Sequence, residues 1–372
     1  MFDQCLIVRH LNERPTFLYR WVCDEGNARV CINRLYNKLI PEHPIYRSSI
    51  MDIYNFQIVL FSVILLIMET PLTPAVFDID AAKVAEQIAS FIEKKRIEFH
   101  RDGALVALSG GLDSSTILAL TTRAMGPEHV KALLLPEKQG NPDAVKYAHR
   151  VASWLGVETI TRDISHILGT LGTYDFILPR IPSRQARAFA FRAFLNRHGQ
   201  NPFLELAHGE GDEMMRKGFA LFTVKQRARL LVEYLVAEQN NLLVVGAAHK
   251  TEDMVGLYVK FGVDDCADLM PLKNLYRTQT LILAEYLGVP EEVRQRTPNP
   301  DLLPGVEDKY MDILGVPSEA LDLVLYGIEQ GMPDGDISAQ TGVPDEKVKE
   351  VRTLVKDTEH MRNESQAPDL EL

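Results

Sequence analysis

From residue 80 onward, apolar positions alternate between continuous short runs and helical spacing. Asp80 to Phe99 carries its apolar residues at helical intervals behind a proline-bearing lead, with Asp78 or Asp80 as the expected cap. "ALVAL" (104–108), "VKALLL" (130–135), "VETITRDI" (157–164) and "NLLVVG" (241–246) read as strands. Ser114 to Ala124, Asp143 to Leu155 and Val224 to Gln239 read as helices between them, and a further helix is expected near Thr251. A long variable stretch, Ser165 to Phe222, interrupts the alternation. Strand runs alternating with helices in this way predict an α/β fold: a doubly wound parallel sheet covered on both faces. Beyond Pro304 the pattern turns helical and ends in the polar "NESQAPDLEL".

Ligands of such sheets bind beyond the carboxyl ends of the strands. The segments expected there are "SGGLDSS", "PEKQGNP" and "AAHKTED". The first breaks an apolar run with small residues and passes directly into a helix. Amides in a first helical turn lack intrahelical partners, and the helix dipole adds positive potential there. Gly110 and Gly111 let a ligand approach the backbone, while Ser109, Ser114 and Ser115 add hydroxyls. This is an anion cradle of phosphate or pyrophosphate size. Asp113 suits such a place if a divalent cation bridges its carboxylate to phosphate oxygens. The lysine of the G-x-x-x-x-G-K-[ST] loop is missing, which excludes the common phosphoryl-transfer loop.

Composition changes the picture little: 46% of the 372 residues are apolar and 24% charged. The net charge of −11 argues against a general nucleic-acid coat. Cys5, Cys23, Cys31 and Cys266 show no zinc or disulfide spacing, which fits a reducing cytoplasm. Ile53 to Met68 carries no charge but is short for a membrane span. A marginal anchor, a packed helix and an extension ahead of the true domain all fit it. The third is favoured, because Met68 opens a natural start. The expected organisation is an extension over 1–67, a catalytic domain over 68–330, and helices with a polar tail over 331–372 that close the same domain.

"SGGLDSS" after a strand resembles the loop of the pyrophosphatase-loop (PP-loop) ATP enzymes, which cleave ATP between its α- and β-phosphates. "VKQRARLLVEYLVAEQNNLLVVGAAHKTED", "YVKFGVDDCADLMPLKNLYRTQT" and "PNPDLLPG", in that order, resemble the ammonia-dependent NAD synthetases within that group. The resemblance implies ATP-dependent amidation of deamido-NAD through an adenylated intermediate, with AMP and pyrophosphate released. It implies ATP contacts at Leu108, Ser109, Gly110, Gly111, Leu112, Asp113, Ser114, Ser115, Arg277 and Asn299, and Mg2+ on Asp113 and Glu252. Arg227, Lys260, Asp268 and His360 match contacts to deamido-NAD. Asp113 and Asp268 are the expected catalytic acids, Asp268 beside the nicotinate ring, where it would orient or deprotonate incoming ammonium. Cytoplasmic location, a homodimer and free or partner-supplied ammonia are further implications; no nucleic acid or membrane partner is expected.

Departures cluster around the second substrate. Arg277 stands at a usual lysine, Ala247 at a usual threonine, Thr223 at an asparagine, Asn299 at a threonine or serine, and Met361 at a basic residue. "GVDDCAD" is one residue long, leaving Asp264 and Asp265 as alternatives, and "EDKYMDILG" replaces a D-E-x-x-L-G pattern. Adenylation of another carboxylate or of an RNA base is the alternative reaction. A DNA-binding role for "DGDISAQTGVPDEKVKEVRTLV" competes with an ordinary helical hairpin that closes the domain.

Overall fold

The computed structural model describes residues 71–176, 211–299 and 306–363, with isolated positions between 180 and 210 and at 368. The stretch 1–67, with Ile53–Met68, Cys5, Cys23 and Cys31, lies outside the described residues, as does the tip of the polar tail. Among the described residues no helix is long and apolar enough to cross a membrane.

Among the described residues four parallel strands, β1 (Gly103–Ala107), β2 (Val130–Leu134), β3 (Glu158–Thr161) and β4 (Leu242–Val244), form a sheet in the order β3-β2-β1-β4. The alternation of side chains across a strand, with both faces covered, explains why β1 and β4 are apolar throughout, whereas the edge strand β3 (ETIT) keeps polar residues. Ala104 and Val106 of β1 enter one core cluster, with Val130, Ala132 and Leu134 of β2. Leu105 and Leu133 enter the opposite cluster. Helices α1 (Ala81–Glu98), α2 (Leu112–Met125) and α3 (Pro142–Leu155) cover the first face. Helices α4 (Ser165–Thr170) and α5 (Glu213–Gln239) cover the second. Each fully buried side chain such as Ile117, Leu118 or Leu243 contributes about 1.5–3 kcal/mol relative to exposure.

The expected elements are present, with their ends shifted by a few residues and one boundary displaced further. Helix α5 begins at Glu213, well before the predicted Val224, capped by Asp212, whose carboxylate accepts from Met215 N at 2.7 Å. Gly218 obscures this first part of the helix in the sequence. It lies against Phe176, where an added Cβ would stand 3.3 Å from the ring.

After β4 come α6 (Lys250–Val255), α7 (Arg277–Tyr286) and α8 (Glu291–Arg294). A π-helical turn, Tyr310–Leu314, then leads to α9 (Ser318–Glu329), α10 (Asp334–Thr341), α11 (Asp345–Asp357) and α12 (Glu359–Arg362). Of these, α6 and α9 to α11 with the π-helical turn build a further core around Phe77, Tyr276, Tyr310 and Val324, while Leu283, Ala284 and Val293 of α7 and α8 join the cluster on the first face of the sheet. Phe77 meets Tyr276 with ring centroids 5.1 Å apart and Tyr326 at 5.9 Å. The α10–α11 hairpin buries Ile337, Val343, Val348, Val351 and Leu354 in this core. Arg352 bonds back to Asp334 and to the Met332 carbonyl. The segment with helix-turn-helix flavour is therefore packed as a hairpin against α9.

Candidate active site

The serine-glycine loop runs from the end of β1 into α2. Leu108 N continues the sheet by donating to Leu133 O at 2.8 Å. Gly110 then takes φ +73°, where a Cβ would lie 2.7–2.8 Å from backbone atoms of Ala148 and Ala144 and from the Tyr147 Cβ. Only glycine fits both the conformation and the space. Gly111 is extended, and an added Cβ there would stand no nearer than 3.4 Å, from the Ser109 hydroxyl. The helix opens at Leu112 rather than at Ser114, so Asp113 lies within its first turn. Ser109 and Ser114 hydroxyls bond one another at 3.0 Å, and Ser109 Oγ accepts from Gly111 N at 3.3 Å. Arg296 donates to the Gly110 carbonyl at 2.6 Å and stacks over Tyr147. The loop shape is thus fixed from both sides.

Asp113, His249 and Glu252 converge: one ligating atom from each lies within 4.8 Å of the others. His249 Nε2 stands 3.8 Å from Asp113 Oδ1 and 3.8 Å from Glu252 Oε2. The same nitrogen is 3.3 Å from the Tyr310 hydroxyl. Two cations border the acids. Arg277 Nη1 is 3.9 Å from Asp113 Oδ1, and Lys309 forms an ion pair with Glu252. Burial works against ionisation of Asp113, yet the positive charges of Arg277 and Lys309, beside the His249 ring, hold the carboxyl below its usual range. Burial pushes His249 down to about 3 and Lys309 down to about 8. His249 is therefore a neutral imidazole near pH 7, and Arg277 and Lys309 carry the positive charge.

The Asp113 Oδ1 atom, which faces His249 Nε2, is buried with no hydrogen-bond partner. Such an orphaned carboxylate oxygen is costly unless a cation joins it. A carboxylate pair with a neutral imidazole is a donor set that suits a divalent cation of the Mg2+ or Mn2+ type. Asn299 lies beside this group through its neighbour: Pro298 O accepts from Lys309 N at 3.1 Å, while Asn299 N donates to Thr297 O at 2.8 Å.

A second group assembles around Lys260. Its ammonium donates to the carbonyls of His360, Met361 and Asn363 at 3.1, 3.0 and 2.6 Å. Arg227 donates to the Lys260 carbonyl at 3.2 Å and lies 3.5 Å from the Thr223 hydroxyl. Arg227, Lys260 and His360 are thereby brought together across 133 residues of chain, 227 to 360. His360 itself bonds the Asp357 carbonyl through Nδ1 at 2.9 Å. Asp268 accepts from Val244 N at 2.9 Å and from the Tyr234 hydroxyl at 3.2 Å, so it sits at the carboxyl end of β4. Among the described residues no hydrogen bond or ion pair joins Asp268 or the Lys260 group to the Asp113 group. Of the two alternatives in "GVDDCAD", Asp264 turns inward and accepts from Gln226 at 2.6 Å, with burial pushing its carboxyl up. Asp265 instead accepts from Phe261 N at 2.9 Å.

Sequence reasoning named neither His249 nor Lys309 as site residues, and it passed over Arg296 and Asp322. His249 had a signal, three positions before Glu252 at the opening of a helix. The others had none, because their partners lie far away in the chain.

Comparison with known proteins agrees with this architecture. Residues 84–176 and 202–365 match the NAD synthase family. An NH(3)-dependent NAD(+) synthetase of Thermotoga neapolitana is 35% identical over 268 residues, which is 72% of this chain and 90% of the relative. One from Methanocaldococcus jannaschii is 32% identical over 288 residues, 77% of this chain and 97% of the relative. Among solved structures, the NMN synthetase of Francisella tularensis aligns over 79% of this chain and all of its own, with TM-score 0.58 and 20% identity. An NH3-dependent NAD synthetase from Campylobacter jejuni, solved with nitrate ion, aligns over 78% of this chain and 100% of its own, with TM-score 0.56 and 19% identity. These structures share the doubly wound fold. Family match, identity and coverage together establish that this chain belongs to the NAD synthase family.

Proposed function

We propose that the chain is an ammonia-dependent NAD synthetase, which converts deamido-NAD to NAD with ATP and ammonia. The observation that carries the reading is the convergence of Asp113, Glu252 and Arg277 at the opening of α2, in a chain of this family. The nicotinate carboxylate attacks the α-phosphorus of ATP, the α–β bond breaks, and pyrophosphate leaves. Ammonia then adds to the activated carbonyl, AMP leaves, and the amide remains.

Each step has a physical demand that a proposed group meets. The amides at the start of α2 and the Arg277 guanidinium neutralise charge gathering on the departing pyrophosphate. Leu108 to Ser115 and Asn299 line the ATP site. Asp113 and Glu252, with the His249 imidazole beside them, would hold Mg2+, which shields the phosphate oxygens as charge shifts between them. The second group, Arg227, Lys260 and His360, supplies two fixed cations and an imidazole for the phosphates and ribose of deamido-NAD. Ammonium must lose a proton before its lone pair can attack, and Asp268 is the acid assigned to orient it and accept that proton. We place the reaction in the cytoplasm, in a homodimer fed by free ammonia or by a partner. The domain runs from 68 to 372, its last 42 residues closing it.

The test is AMP release by purified protein given ATP, Mg2+ and ammonium, with and without deamido-NAD. AMP that appears only with deamido-NAD, together with NAD, supports the reading. AMP release indifferent to deamido-NAD overturns it in favour of another acceptor. Asp113→Ala should abolish turnover with the fold intact, and retained activity would refute its role.

A further inference from the structure

The site holds two carboxylates, Asp113 and Glu252, and two cations, Arg277 and Lys309, in one largely buried volume. The two cations are held differently. Arg277 opens α7, its amide donating to the Thr251 hydroxyl at 2.9 Å. Its guanidinium is 11% exposed and stands off Asp113 at 3.9 Å. Lys309 lies directly on Glu252, with side chains 13% and 12% exposed. Its backbone is fixed where the π-helical turn begins. Lys309 N donates to Pro298 O at 3.1 Å, and the Asp308 carboxylate accepts from Tyr310 N at 2.9 Å and Met311 N at 3.1 Å. Only the flexible four-carbon stem of Lys309 is left to move, and the ammonium it carries is a compact point charge.

A lysine ammonium and a divalent cation compete for the same carboxylate oxygen. Among the described residues, Asp113 is faced by Arg277 and Glu252 is paired with Lys309, so the site's acids have cationic partners as it stands. A divalent ion arriving alone would leave Lys309 or itself unpaired in a buried place, which is costly. An ion arriving with a polyphosphate brings the anionic oxygens that Lys309 can turn to.

We propose that Lys309 is a displaceable counter-ion of Glu252, which it holds until a nucleotide polyphosphate draws the ammonium away, so that the divalent cation enters with the nucleotide and not before it. The inference rests on the metal-and-nucleotide part of the proposed function and is independent of the acceptor's identity. It makes Lys309 the source of a positive coupling between metal and nucleotide, and that coupling is reciprocal.

The experiment measures protein-bound Mn2+ by equilibrium dialysis, with the metal–nucleotide complex in the protein-free chamber subtracted. It is done with and without α,β-methylene-ATP, on the full chain, for wild type, Lys309→Met and Lys309→Arg. For wild type, the analogue should tighten Mn2+ binding about tenfold or more, within the usual range of such couplings. Lys309→Met should bind Mn2+ alone about tenfold more tightly than wild type and lose most of the nucleotide effect. Lys309→Arg, which keeps the charge, should retain the coupling. Circular dichroism checks the fold, and Lys309→Gln replaces the methionine variant if that one fails to fold. Mn2+ binding alone that is unchanged or weaker in a folded neutral variant overturns the proposal. Failure of Mn2+ to bind any of these proteins, even with the analogue present, removes the metal-and-nucleotide reading and the proposal with it. Turnover on deamido-NAD has no part in the readout, so an error in the acceptor would leave these results standing.

Discussion

The Thr251 hydroxyl donates to the buried carboxyl of Asp322 at 2.5 Å, joining α6 to α9 across 71 positions of chain. The other oxygen of Asp322 accepts from the Thr278 amide at 2.7 Å and hydroxyl at 2.6 Å. Thr251 and Thr278 are the chain neighbours of Glu252 and Arg277, so one buried acid sets the spacing between a carboxylate and a cation of the site. Burial pushes the Asp322 carboxyl up, against the pull of these hydrogen bonds.

Asp322→Ala should therefore strip partners from two hydroxyls and an amide at once. The expected loss is about 2–4 kcal/mol of stability in urea unfolding. AMP release should fall further than that loss explains, because α6 and α7 are no longer tied. Asp322→Asn keeps a carbonyl acceptor and should show a smaller loss in both measurements. Equal activity of the alanine variant and wild type would remove the positioning role.

Gly110 and Gly111 should answer differently to alanine. Gly110→Ala meets backbone of α3 at 2.7–2.8 Å in a positive-φ conformation, so it should cost roughly 1–3 kcal/mol and distort the loop. Gly111→Ala has room in the fold and should melt near wild type. It should nevertheless weaken nucleotide binding, because its methyl group would stand where the backbone must approach phosphate. Paired thermal melts and nucleotide titrations check this; equal melting temperatures would refute the asymmetry.

Arg277→Lys keeps the charge and loses the planar fork. It should raise KM for ATP several-fold and preserve most of kcat. Arg277→Ala should lower kcat/KM by about 100-fold or more, the scale of removing one donor to a developing anion. Steady-state AMP release separates the two outcomes. A lysine variant as damaged as the alanine variant would show that geometry, not charge, is what Arg277 supplies.

Glu233 predicts a pH effect on stability. This glutamate is 2% exposed and accepts from Ala107 N at 3.2 Å. Burial first, with Asp264 and Asp268 adding repulsion against the Ala107 hydrogen bond, pushes its carboxyl up to about 8. In the unfolded chain the group ionises near 4.5. Between those values only the unfolded state gives up the proton, so wild-type stability falls as pH rises through that window. Glu233→Gln keeps a carbonyl for Ala107 N and cannot ionise. It should gain on wild type by an amount that grows to a few kcal/mol from pH 5 to pH 8. Urea unfolding at the two pH values checks it, and a difference that stays constant would sink the expectation.

The sheet was legible in the sequence because both its faces are covered. Runs such as "ALVAL" and the "LLVV" of "NLLVVG" carry no polar residue on either face, and β1 and β4 do send alternate side chains into two separate cores. The start of α5 was not legible, since Gly218 is there to admit Phe176 from elsewhere in the chain. Lys309 read only as part of a charged run, "EDKYMD", that departs from the family pattern. Its pairing with Glu252, 57 positions away, leaves no local mark.

By itself the sequence determined the parallel α/β layering and the phosphate-sized loop, because both rest on local rules: side-chain period, turn residues and a helix that begins directly after glycine. Tertiary structure alone decided which charges meet. Asp113, His249, Glu252, Arg277 and Lys309 come from four separate segments of chain. Their protonation and mutual spacing arise from burial and through-space attraction, which have no period along a chain.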